Sequence, residues 1–143
     1  MISQTLTTSF KTQLLTATHN FTASTGDTFK MALYLSTATV DADTTAYTAT
    51  GEISGTGYTA GGISLTTTTP TSSGTTAFVS FATATFTGLV NTTAAGALIY
   101  NSSKSNKSVA VLDFGGLKIS TVAAPLVITF PTAAATTAII RFP

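Results

Sequence analysis

In residues 8 to 19, Phe10, Leu14 and Ala17 recur at i, i+4 and i+7, and Leu15 widens the stripe. This is the spacing of one helical face. Ser9 stands where a cap is wanted, and Asn20 with the Gly26-Asp27 turn signal stops the element. One short amphipathic helix is expected, lying across an open side of a sheet with its apolar face in the core. Residues 1–7 ahead of it read as a mobile arm.

From Thr28 the period drops to two. Phe29, Met31, Leu33 and Leu35 fall on one face, and Lys30, Ala32, Tyr34 and Ser36 on the other, which predicts a strand. Residues 37 to 61 hold no period and are rich in Thr, Ala, Asp and Gly, a connection longer than structureless loops usually are. Alternation returns at Ile63, Leu65 and Thr67. Pro70 and the Thr71-Ser72-Ser73-Gly74 turn signal then lead into 75–81, where Ala77, Val79 and Phe81 alternate with Thr76, Phe78 and Ser80, so a hairpin is expected. Further strands are predicted at 83–87, 96–101, 108–114, 125–130 and 136–142, each bounded by Gly, Pro, Asn or Ser.

Such a chain, with about eight short strands and no helices to carry parallel crossovers, is all-β. An antiparallel β-sandwich of jelly-roll type with one short N-terminal helix is the reading preferred over a closed barrel. With 143 residues, no repeat and no compositional break, residues 1–143 form a single domain.

Composition strengthens this picture. Leu, Ile, Val and Phe supply 35 residues, enough to place the chain above the level at which disorder is expected. Thr supplies 34, and its branched Cβ and single hydroxyl suit half-exposed strand positions. The net charge is +1 with no polybasic run, which argues against nucleic acid as a partner. The longest apolar stretch near the end, Val122 to Ile128, is broken by Pro125 and falls far short of the roughly twenty residues a bilayer span needs. The first residues lack the basic and apolar regions of a secretory signal, so synthesis in the cytoplasm is expected. With no cysteine there is no disulfide, thiolate nucleophile or Cys-based zinc site.

Candidate chemistry is thin. Gly55, Gly57 and Ala60 match a dinucleotide fingerprint in spacing, but Gly62-Ile63 opens a strand where the motif requires a helix, so a glycine turn is expected. Asp41, Asp43 and Glu52 fit positions 1, 3 and 12 of a calcium loop, yet Ala46 replaces its essential glycine. A lone His19 cannot assemble a multi-histidine metal site, and Asp113 reads as a partly buried, hydrogen-bonded acid. Asn-x-Ser/Thr triplets at Asn20, Asn91, Asn101 and Asn106 are what a Thr-rich chain produces by chance. No catalytic, cofactor-binding or metal-binding residue is therefore nominated, and no enzyme activity is expected. Interface candidates remain: Tyr47 and Tyr58, aromatic residues in a long, weakly charged loop, and Lys104 and Lys107 in a polar turn between strands.

A surface kept wet mainly by hydroxyls desolvates more cheaply than a charged one, which suits permanent assembly. Three segments then bring a likeness. Tyr47-Thr-Ala-Thr-Gly-Glu-Ile-Ser-Gly-Thr-Gly-Tyr-Thr-Ala-Gly-Gly62, Gly96-Ala-Leu-Ile-Tyr-Asn-Ser-Ser103 and Val109-Ala-Val-Leu-Asp-Phe-Gly-Gly116 resemble a family of short structural proteins of tailed bacteriophages, the capsid cement or decoration proteins. The likeness takes in Phe10 to Phe21 and the strand from Phe29 as well. It implies jelly-roll topology, a place in the virion on the outer capsid surface, binding to the major capsid protein and a homodimer at local twofold axes, with a trimer on threefold positions as the alternative. This chain departs from the family in being unusually rich in Thr and Ala and poor in acids. A head-fibre base, neck or tail component, or a carbohydrate-binding sandwich displaying Tyr or Phe, are the rival readings.

Overall fold

Alternation along Phe29–Tyr34 produces a strand that lies inside the largest sheet, with a neighbour on each edge, and both of its faces are covered. In the computed structural model, which describes residues 1–121 and 123–143, Phe29, Met31 and Leu33 enter one apolar cluster while Ala32 and Tyr34 enter a second. Val122, at the head of the apolar stretch noted above, lies outside the described residues.

In chain order the elements are β1 (Thr5–Leu6), α1 (Thr8–Leu15), β2 (Phe29–Tyr34), β3 (Ile63–Ser64), β4 (Thr71–Ser73) and β5 (Thr76–Val79), followed by β6 (Ala84–Phe86), β7 (Thr92–Asn101), β8 (Lys107–Ser120), β9 (Leu126–Ile128) and β10 (Ile140–Phe142). They form a five-stranded sheet of order β1-β8-β7-β2-β3, a three-stranded sheet β10-β5-β4 and a pair β6-β9, with every ladder antiparallel. The larger cluster joins Met31, Leu33, Ala97, Ile99 and Val109 of the large sheet to Val79, Phe86 and Ile140 of the smaller ones. This is an all-β sandwich with one short helix, as expected. The strand orders do not establish jelly-roll connectivity.

The helix is shorter than its sequence pattern. Thr7, extended at ψ 149°, is the N-cap in place of Ser9, and its Oγ1 accepts from the Phe10 N–H three residues on. Only the front of the stripe is used: Phe10 is fully buried, whereas Leu15 is 89% exposed. The chain leaves the helix after Leu15 and passes through a left-handed residue at Ala17, φ 54°, so Ala17 cannot extend the apolar face.

Residues 1–7, expected as a mobile arm, are bound to the sheet. Thr5 and Leu6 pair with Val111 and Ala110, Ile2 bridges Val40 in parallel, and the Met1 nitrogen donates to the Ala38 carbonyl at 2.8 Å. The 71–74 turn signal does make a hairpin, but the tip is Gly74-Thr75 and the first arm is β4, followed by a further bridge between Thr67 and Phe81. Beside Pro70, which lacks a backbone donor, Thr68 Oγ1 accepts from Ser80 N–H and donates to the Ser80 carbonyl, keeping the hairpin zipped.

The largest departure lies in β7 and β8, which are longer than predicted. Ala94 pairs with Lys118 but Gly96 pairs with Asp113, so residues 114–117 bulge out of the ladder. Asp113 sits at the lip of this bulge, exposed to solvent, with Oδ1 accepting from Gly115 N–H at 2.9 Å. The expectation of a partly buried Asp113 is corrected accordingly: the bulge turns the strand outward just where Val-Leu-Asp-Phe suggested burial.

Candidate functional site

Four tyrosines and one glutamate occur in the chain, and all five meet where the 37–61 loop crosses the large sheet. The segment around Glu52 adds to the end of β2: Leu35 N–H donates to Gly51 O at 2.9 Å and Ile53 N–H to Leu33 O at 3.0 Å. This brings the Glu52 carboxylate under two phenols and a backbone donor. Tyr47 donates to Oε2 at 2.6 Å, while Tyr58 and the Gly61 N–H each donate to Oε1 at 2.7 Å. The Tyr58 oxygen also accepts from Leu33 N–H at 2.9 Å.

The other two phenols reach the loop from the sheet. Tyr34 donates to Thr48 O at 2.6 Å, and Tyr100 to Gly61 O at 2.7 Å, with the Tyr47 ring stacked on Tyr100 at 4.9 Å. All four hydroxyls thus donate to acceptors between residues 48 and 61. Burial, then the bond to Glu52, pushes the Tyr47 phenol up to about 12, and burial raises Tyr34, Tyr58 and Tyr100 as well.

Glycines let the loop come this close. At Gly62, φ 70°, a Cβ would run into the Met31 carbonyl of β2, and at Gly57, φ 82°, into the Gly88 carbonyl. The spacing that imitates a dinucleotide fingerprint is therefore a packed turn. The calcium-loop spacing is also given another use, with Glu52 held by the phenols and Asp41 Oδ1 accepting from Asp43 N–H at 3.0 Å. Among the described residues no three His, Cys, Asp or Glu side chains come together, and no helix is long and apolar enough to cross a membrane.

Tyr47 and Tyr58 are consequently half-buried fasteners, with their hydroxyls engaged inside the molecule. The lysines lie elsewhere. Lys104 is exposed at the β7–β8 turn, its Nζ 3.7 Å from Asp27 Oδ1. Lys107, half-buried, opens β8 and bridges Ala46, and the Tyr47 N–H donates to the Asn106 carbonyl in the same turn. The structure thus joins Tyr47 to Tyr58 through Glu52, and docks the Tyr47 end of the loop on the turn that carries both lysines.

Sequence reasoning passed over the other end of the same ribbon. Leu117, the last residue of the bulge, is 58% exposed and Ile119, just past it, 68%, and a groove of about 450 Å³ runs between Met1, Ile2 and Leu117. The alternation of Leu117 and Ile119 around Lys118 was available as a signal. It was missed because the two glycines before it read as the end of a strand.

No family model, curated protein or solved structure matches this chain.

Proposed function

We propose that the chain is a structural virion protein that binds the outer surface of a tailed-phage capsid and cements neighbouring major capsid subunits, acting as a homodimer. The observation that carries this reading is the pair of bare apolar side chains, Leu117 and Ile119, on a molecule whose residues are only 8% charged. Leu117 shares its groove with Met1 and Ile2, and apolar side chains gathered in one place, unlike ones scattered singly, mark a surface that a partner covers.

The architecture supports a clamp. At about 3.3 Å per residue, the ten residues of β7 span about 30 Å, with Lys104 and Lys107 at one end of the ribbon and Leu117 and Ile119 at the other. Two contacts that far apart reach two neighbours. Once one end is seated, the second contact is effectively intramolecular, so modest single-site affinity becomes lasting attachment. The tyrosine–glutamate fastening contributes by holding the 37–61 loop in one shape before docking, which spares ordering entropy at the interface. It also weakens the carbohydrate reading, since these tyrosines are not displayed as sugar platforms.

Particles bearing the wild-type chain, the double variant Leu117→Ser/Ile119→Ser, or no chain test the proposal by the temperature at which they release DNA. Wild type should raise that temperature and the double variant should not, while keeping its own fold. Equal DNA retention by all three would refute the clamping role.

A further inference from the structure

We propose that the hydrogen bond between His19 and Asn101 is an acid-released latch that fastens the loop 19–27 over the aromatic end of the core. The polarity of the bond carries the inference. Asn101 Nδ2 donates to Asp27 Oδ2 at 2.8 Å and to His19 Nδ1 at 2.9 Å, while Asn101 Oδ1 accepts from the Ser103 N–H at 3.0 Å. The amide cannot be reversed, because its NH₂ would then face the Ser103 N–H and its oxygen the Asp27 carboxylate. His19 Nδ1 must therefore be bare, and Nε2 carries the proton donated to Gln13 Oε1 at 2.8 Å.

A second proton on His19 has one place to go, and there it meets the hydrogens of Asn101. The latch is complete in the neutral ring and broken in the cation. The charged and titratable groups facing the ring come from two elements: Asp27 of the loop, which favours the cation, and Lys104 and Lys107 of the β7–β8 turn, which oppose it. Helix α1 contributes neutral Gln13. Burial is the largest influence, and the balance holds His19 below its ordinary value of 6.5. For Asp27 burial pushes upward, but the donors Asn20 N–H and Asn101, together with Lys104 and His19, outweigh it and keep the carboxyl below its usual range.

What the latch holds is specific. The loop is closed on itself by Asp27 N–H to Asn20 O and Gly26 N–H to Thr22 O, both at 2.8 Å. It carries Phe21, stacked on Phe29 at 4.3 Å, and the His19 ring lies 5.1 Å from Phe10. Opening it lifts Phe21 away and uncovers Phe29, while β1, anchored on β8, and the sandwich remain in place.

The sign follows from linkage. With the folded-state value depressed, stabilisation of the closed loop is complete above 6.5 and is lost as pH falls from there through the lowered value of His19. Across that window the opening constant should rise by up to about tenfold per pH unit.

The test is NMR of the ¹⁵N-labelled chain between pH 7.5 and 4.5. Expected are an Nε2–H tautomer with bare Nδ1 at the upper end, titration of His19 below 6.5, and faster exchange of the Gly26 and Asp27 amides at that same pH while the β7–β8 amides stay protected. An Nδ1–H tautomer, titration at or above 6.5, or loop exchange indifferent to the His19 titration would each overturn the proposal. His19→Gln should keep the loop closed over the same range. If that variant folds and still opens with wild-type pH dependence, the latch is elsewhere; if it does not fold, the wild-type tautomer and titration decide.

Discussion

The Tyr58 hydroxyl donates to Glu52 Oε1 at 2.7 Å across six residues of loop, and the same oxygen receives the Leu33 N–H of β2. A single phenol therefore ties the loop to the sheet as acceptor and to its own carboxylate as donor. Tyr58→Phe removes both bonds and leaves a backbone donor with no partner. It should lower stability by about 2 kcal/mol, in the range for a hydrogen bond to a charged group plus an orphaned N–H. Urea unfolding checks this, and the mid-point should fall without a change in slope.

The phenols set an alkaline limit. All four are raised by burial, so their stabilisation is fully present below pH 10 and is lost as pH climbs through the folded-state values, about 12 for Tyr47. A spectrophotometric titration should show no phenolate forming near pH 10, then ionisation of all four together with loss of the near-ultraviolet circular dichroism. Four independent ionisations near 10 in a folded chain would contradict the fastening.

Thr7 is fully buried at the head of α1, and its Oγ1 lies 2.9 Å from Ser108 Oγ as well as capping Phe10 N–H. Thr7→Val keeps the shape and loses both polar contacts. It should cost about 1–2 kcal/mol, while Ser9→Ala, at the cap position suggested by the sequence, should cost less. Thermal melts of the two variants compare them directly.

Gly62→Ala places a methyl against the Met31 carbonyl at a left-handed backbone position. The fold has to shift or open there, and a loss above about 2 kcal/mol is expected, with faster amide exchange at Gly61 and Ile53. Gly74→Ala, at the open tip of the β4–β5 hairpin where a Cβ meets nothing within 4 Å, should cost only its backbone strain.

The sandwich was legible wherever one physical signal dominated. Phe29 to Tyr34 alternates because its large apolar side chains, Phe29, Met31 and Leu33, all enter the larger cluster while Lys30, Ala32 and Tyr34 take the other face, and Phe10 with Leu14 announces the helix because both lie on the side that meets the core. What stayed hidden depends on partners remote in sequence. β1 is two residues long and is held by β8, so nothing in Thr5-Leu6 alone predicts a strand. The 114–117 bulge is a mismatch between two strands, and a single strand cannot show it. Tyr47 and Tyr58 stand out in the sequence as aromatic residues of a long loop, but their bonds to Glu52 come from the path of that loop, and an aromatic residue fastened inward carries the same letters as one displayed outward.

The clamping proposal is tested most directly by a reconstruction, at side-chain resolution, of virions that contain the chain. Density for the sandwich on the outer face of the capsid, with Leu117 and Ile119 buried against one major capsid subunit and the Lys104–Lys107 turn against its neighbour, is the expected result. Density confined to the neck or tail, or a capsid-bound chain whose Leu117 and Ile119 remain in solvent, would contradict it.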